Sequence, residues 1–317
     1  MWLAWNVIIA HPFFTSASEF FQMSTLRRQE PIGKGLKRIA CGQVESAIRC
    51  LTRQAGQAVG AEEAIDQAQA VLSLIEPELP RQAVRKERGI LARLSAGLSE
   101  MTEPERLLQQ LEREYKKTPS EAELASAVKS LRKRWSSKGR SSTALSSKAG
   151  NFNPMIYRLV ADMAELRGHL DHWSVEEVAD DAPPRGLRRT YTKARRLAHE
   201  PVTADSLTAL ARLLRELSVQ VGVISKACPV MLKAQRKMLS RASEELMSEL
   251  LVGRLHQALR AELGKGASKV LPGAAPLSKR VARVIEAEVT PALAESPAAF
   301  IGRMQTYWSV WRSETTE

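Results

Sequence analysis

Apolar residues recur in this chain every three or four positions, and that period decides the fold class. Leu207, Leu210, Leu214, Leu217, Val221 and Ile224 form the longest such stripe. Ile39, Val44, Ile48 and Leu51 form another, followed by Ile65, Ala68, Leu72 and Ile75, by Leu91, Leu94 and Leu98, and by Ile156, Leu159, Met163 and Leu166. A helix brings such residues to one face, so each stripe is the core-facing side of an amphipathic helix. No segment alternates apolar and polar residues between hairpin turns, as half-buried strands would. Thr203-Ala204-Asp205 sets an N-cap residue before the longest stripe, and Thr118-Pro119-Ser120-Glu121 has the same form. The expected fold is therefore all-α. With 317 residues, 44% of them hydrophobic, the chain suffices for one large helical domain or two smaller ones.

The helices repeat in order and in chemistry. Gly35-Leu36-Lys37-Arg38 opens one helix and Gly186-Leu187-Arg188-Arg189 opens another. Each is followed by a second helix starting near acidic residues (Glu62 and Glu63, or Asp205), then by a basic one, RKERGILARLS at 85–95 or KAQRKMLSRAS at 233–243. This order implies internal duplication into two related antiparallel helical bundles. The division expected is an N-terminal extension over 1–34, a first repeat over 35–178, a second over 179–263, and a linker with a C-terminal helix (about 278–312) over 264–317. Residues 136–153, rich in Ser, Gly and Lys, read as a linker. So do 179–185, through Pro183 and Pro184, and more weakly 264–276. Residues 1–23 are apolar and aromatic with a single charge, Glu19. They have no basic n-region, and their apolar start is too short to span a bilayer. They read either as a weak membrane-surface anchor or, preferably, as sequence upstream of a true start at Met23.

Charge narrows the partner. Forty-seven Lys and Arg against 35 Asp and Glu give a formal net charge of +12, a field that draws in polyanions. It concentrates in RGLRRTYTKARR, residues 185–196, which holds no acidic residue. At about 100° per residue its basic side chains occupy one half of the helix, with Leu187, Ala194, Leu197 and Ala198 on the other. Arg212 and Arg215 extend the charge to the next helix, and Lys37 and Arg38 carry a diluted version in the first half. Lys233, Arg236, Lys237 and Arg241 add more. Arginine suits phosphate because its planar fork engages two oxygens at once. The expectation is a basic groove near the junction of the bundles.

Catalytic arrangements are missing from the sequence: no GxxxxGK[ST], GxGxxG, GxSxG or HExxH, and no Cys/His pairing. Cys41, Cys50 and Cys228 form no CxxC and, sparse and odd in number, suit a reducing cytoplasm. His169 and His172 would make at most half a metal site. A non-enzymatic binder needing no cofactor and no metal is expected.

These features together resemble the conserved-histidine α-helical domain (CHAD) family, whose members bind inorganic polyphosphate. The resemblance spans about residues 35–263. GLRRTYTKARRLA at 186–198 is similar to the opening helix of that family's second repeat, TADSLTALARLLRELSVQVGVI at 203–224 to its next helix, and EEAIDQAQ at 62–69 to the first-repeat counterpart. Glu103 and Glu249 stand where the ends of the third helices are usually acidic. The histidines that give the family its name are absent: Asp66 and Thr208 occupy their places, and Gln69 and Ala70 replace the basic cluster that follows the first. The resemblance implies polyphosphate binding by Arg188, Tyr191, Lys193, Arg195, Arg212 and Arg215. With the charge pattern, the candidate polyanion site becomes Lys37, Arg38, Arg188, Arg189, Tyr191, Lys193, Arg195, Arg196, Arg212 and Arg215, weakened on the Asp66 side. The alternatives are a nucleic-acid binder using the same faces together with Lys129, Arg132, Lys133 and Arg134, or a degenerate scaffold that pairs with an acidic protein.

Overall fold

A computed structural model describes residues 25–53, 57–117, 154–201, 203–263 and 277–314, together with Lys129 and Lys133. Among these residues every regular element is a helix, as the periodicity requires. The main helices are α1 (Ile32–Arg53), α2 (Ala58–Ile75), α3 (Arg81–Lys117), α4 (Pro154–Asp171), α5 (Ala182–Ala198), α6 (Ala204–Val223), α7 (Pro229–Leu263), α8 (Leu277–Val284) and α9 (Pro297–Ser313). Residues 1–24, including the proposed start at Met23, and the linkers at 136–153 and 264–276 lie outside the described residues.

The two halves share an order of helices, two shorter ones and then a long one. Helices α1, α2 and α3 have 22, 18 and 37 residues, and α5, α6 and α7 have 17, 20 and 35. In each set the first packs on the second and the second on the third. At the junction α2 packs against α6 and α3 against α7. Helix α4 closes the first bundle by packing on α1 and α3. In the second bundle α8 packs on α7 and α9 on α5, so the C-terminal elements fill that place. The buried apolar cluster runs without interruption from Leu26 to Trp311.

Local chemistry explains the boundaries. Thr203 caps α6 through a reciprocal pair of bonds: its hydroxyl accepts from the Ser206 backbone N–H, and the Ser206 hydroxyl accepts from that of Thr203. Ser296 caps α9, with Pro297 in its first turn. Two expectations need correcting. The stretch 179–185 is no linker from Ala182 onward. Pro183 and Pro184 are buried in the first turn of α5, where a missing N–H costs nothing. The C-terminal region is not one helix either: α8 passes through a π turn, Ile285–Val289, and a short turn, Thr290–Ala292, before α9 begins. Packed structure also starts upstream of residue 35, because Leu26 is fully buried and its N–H donates to the Val223 carbonyl at 3.0 Å.

Gly186 shows why the second repeat opens as it does. A Cβ there would lie 2.6 Å from both the Cα and the carbonyl oxygen of Leu74, at the end of α2. Only glycine lets the backbones of the two halves approach this closely.

Candidate functional site

Helix α5 presents its basic half outward, as its periodicity requires. Gly186, Leu187, Thr190, Tyr191 and Ala194 are buried, while Arg185, Arg188, Lys193 and Arg196 are exposed. The run is free of acid only within its own helix. Glu76 and Glu78, in the 3-10 turn after α2, come alongside it. Arg189 pairs with Glu76 and donates to the Ser73 carbonyl at 2.8 Å. Arg185 lies 3.1 Å from Glu78 and 2.9 Å from Asp181. On the other flank Arg195 donates to the Glu295 carbonyl. Arg196, with 72% of its side chain exposed, lies 3.3 Å from Glu200 one turn on.

The remaining candidates divide between structural and free positions. Tyr191 is a core residue: its ring stacks on Phe300 with centroids 4.0 Å apart, and its hydroxyl donates to the Glu295 carbonyl at 3.0 Å. Burial pushes its phenol up to about 12. Lys37 donates to the carbonyls of Asp171 (2.7 Å) and Trp173 (3.3 Å), capping the end of α4. Arg38 grips Glu30 through two nitrogens at 2.6 and 3.2 Å and reaches the Thr25 carbonyl at 3.1 Å, which ties the N-terminal segment to α1. Arg215 crosses from α6 to α2, lying 3.5 Å from Asp66 and 3.8 Å from Glu63. Arg188, Lys193 and Arg212 are exposed and make no ion pair with any described residue. Lys193 acts electrostatically on Glu216, which lies one turn beyond Arg212 on α6, so these two cations share the α5–α6 face. Arg188 lies at the opposite edge of the exposed arc of α5, about 140° around the helix from Lys193.

Beneath this face is a polar cluster that holds the halves together. Gln220, fully buried, places its amide nitrogen 2.6–3.2 Å from Ser73 Oγ, the Ala70 carbonyl, Thr190 Oγ1 and Glu216 Oε1. Ser73 donates to Glu216 at 2.5 Å. Burial pushes the Glu216 carboxyl above the ordinary carboxylate range, against the lowering effect of the bonds from Ser73 and Thr190 and of nearby Arg189 and Lys193. Asp66 is also raised by burial, and Arg215 opposes the shift. A second buried carboxylate, Glu62, accepts from Ser99 (3.0 Å) and Thr102 (2.7 Å) and pairs with Arg106 at 2.8 Å. His169 lies 3.8 Å from Glu87 and from Glu165, and among the described residues no three ligand-type side chains group as a metal site. Lys129 and Lys133 are exposed; Arg132 and Arg134 lie outside the described residues.

Sequence reasoning missed Glu76, Glu78, Glu216 and the Glu295 carbonyl because each reaches its partner across a long sequence separation. Glu216 alone left a sign, as a lone carboxylate interrupting a stripe of Leu, Val and Arg. Comparison with family models, with curated proteins and with solved structures finds no match to the chain. Among the described residues no helix is long and apolar enough to cross a membrane.

Proposed function

We propose that this chain is a non-catalytic binder of a polyanion, with inorganic polyphosphate the best-matched ligand. Arg188, Lys193 and Arg212 do the binding, and Arg196 joins them by exchanging its Glu200 contact for phosphate. The observation that carries this reading is the contrast in pairing. Arg185, Arg189, Arg195 and Arg215 are engaged by acids or carbonyls, while those three exposed cations are left with no ion pair to a described residue. Unpaired cations on an exposed face repel one another, and a bound phosphate chain relieves the repulsion while releasing counterions. The family resemblance supports polyphosphate in particular, and three free cysteines go with a reducing, cytoplasmic setting.

Fluorescence anisotropy with labelled polyphosphate tests the proposal. Binding should weaken with salt, with a slope of log K against log salt of about −2 to −3 for three phosphate contacts. The triple change Arg188→Glu, Lys193→Glu and Arg212→Glu should abolish it. No binding at low salt, or no effect of the triple change, refutes the proposal. Competition separates the nucleic-acid alternative: polyphosphate should displace nucleic acid readily here and poorly if nucleic acid is the ligand. The pairing of Arg215 with Asp66 and Glu63 favours one second reading, a scaffold whose groove has become self-neutralised and whose partner is an acidic protein. Its mark is a co-purifying acidic protein with no response to phosphate.

A further inference from the structure

The longest acid-free stretch in the chain after residue 185 is not α5. No Asp or Glu occurs between Glu216 and Glu244, while Lys226, Lys233, Arg236, Lys237 and Arg241 all fall within it. This stretch includes the first turns of α7, whose inner side is anchored by Leu232, Leu239, Ala242 and Ser243. The outer side is unusual in composition. Val230 is 81% exposed, Met231 49% and Met238 41%, three of the most exposed large apolar residues among those described. Placed at 100° per residue, Lys233, Lys237 and Arg241 line one edge of the exposed arc, with Val230 among them between Lys237 and Arg241, and Ala234, Met238 and Met231 line the other. Arg241 pairs with Glu288 at 2.7 Å, while Lys226, Lys233, Arg236 and Lys237 make no ion pair with any described residue.

We infer that this face of α7 is a peripheral docking surface for an anionic lipid membrane. Cations alone would fit any polyanion, but phosphate chains and nucleic-acid backbones offer nothing apolar for Val230, Met231 and Met238 to bury against. A bilayer interface satisfies both halves of the face, with anionic headgroups taking the lysines and the acyl boundary taking the valine and methionines. These cations lie on α7 and those of the polyanion proposal on α5 and α6, so separate variants test the two.

Flotation of the full chain with vesicles decides it. Vesicles of phosphatidylcholine mixed with phosphatidylserine should carry the protein, and phosphatidylcholine alone should not. Each lysine near an anionic surface is worth about five-fold in partitioning, so Lys233→Gln with Lys237→Gln should lower binding about 25-fold. Met231→Ser with Met238→Ser should weaken it at unchanged charge. Arg188→Gln with Lys193→Gln and Arg212→Gln should leave it largely intact, and a chain beginning at Met23 should still bind. All these positions are exposed, and an unchanged far-ultraviolet circular dichroism spectrum checks that each variant is folded. Three results overturn the inference: no flotation with the anionic vesicles at low salt, indifference to both the lysine and the methionine changes, or loss of binding only when residues 1–22 are removed.

Discussion

Replacing Gly186 with alanine tests the junction of the two halves most directly. The added methyl would sit 2.6 Å from Leu74 Cα and from the Leu74 carbonyl oxygen, and 2.9 Å from the carbonyl carbon. Carbon–carbon contacts are comfortable at about 3.5–4.0 Å, so α5 and the end of α2 must part by about 1 Å. Both obstacles are backbone, which cannot swing aside as a flexible side chain could. The same separation stretches the Gln220–Ser73 bond of 2.6 Å and the Arg189 bond to the Ser73 carbonyl of 2.8 Å. Overpacking costs about 1–3 kcal/mol and the two weakened bonds about 1 kcal/mol each, against a helix-propensity gain of about 1 kcal/mol. The net loss expected is about 2–4 kcal/mol, read as a fall in the urea midpoint of about 1 M. Gly302 on α9 is the control, because a Cβ there meets nothing within 4 Å. Gly302→Ala should stabilise by about 0.5–1 kcal/mol. If Gly186→Ala matches or exceeds the wild type while Gly302→Ala behaves as expected, the junction is slack and the close-approach argument fails.

Three further outcomes can be checked. Glu216 has a raised carboxyl in the folded state, so its contribution is fully present below the ordinary carboxylate pKa and is lost as pH rises through the raised one. The stability of wild type minus that of Glu216→Gln, from urea titrations, should therefore grow as pH falls from about 7 to about 4; a constant difference contradicts it. Tyr191 should resist ionisation to about pH 12 in an ultraviolet titration, and stability should fall between the ordinary tyrosine value and that point. Tyr191→Phe, which keeps the stack on Phe300 and loses the bond to Glu295, should cost about 1 kcal/mol in thermal unfolding. Removing the acids that engage Arg215, by Asp66→Ala with Glu63→Ala, should tighten polyphosphate binding several-fold in the anisotropy assay; unchanged affinity would place Arg215 outside the site.

The sequence made the helices legible because their apolar stripes are local and strong. The similar helix order of the two halves was legible for a related reason: Gly-Leu-basic-basic at 35–38 and 186–189 recurs with the same helix order behind it. Most of the candidate site was not. The periodicity of 185–196 correctly set its basic half outward, yet it could not show that Glu76 and Glu78 arrive from another helix to neutralise Arg189 and Arg185. Tyr191 illustrates the limit. At about 240° on the helix wheel, counted from Arg185, it falls within the apolar half, and only its place in the motif of the family resemblance suggested a ligand. Pro183 and Pro184 misled in another way, because the same residue ends a helix in its interior and starts one in its first turn.

The N-terminal segment has a consequence for how the chain is made. Leu26 is bonded to Val223, Arg28 contacts Glu314 at 2.7 Å, and Arg312 reaches back to the carbonyls of Arg28 and Glu30. A ribosome emits about 5–20 residues per second, so Arg28 and Glu30 wait about 15–60 s after emerging before residue 312 exists to receive them. During that interval α1 to α4 can assemble, while the Val223 carbonyl that receives the Leu26 N–H arrives only with α6, and the residues that hold Arg28 and Glu30 only with α9. Completion of the last helix is thus the event that closes the chain on itself. A nascent protein halted after α7 could still bond Leu26 to Val223, but Arg28 would lack Glu314 and the carbonyls of Arg28 and Glu30 would lack Arg312.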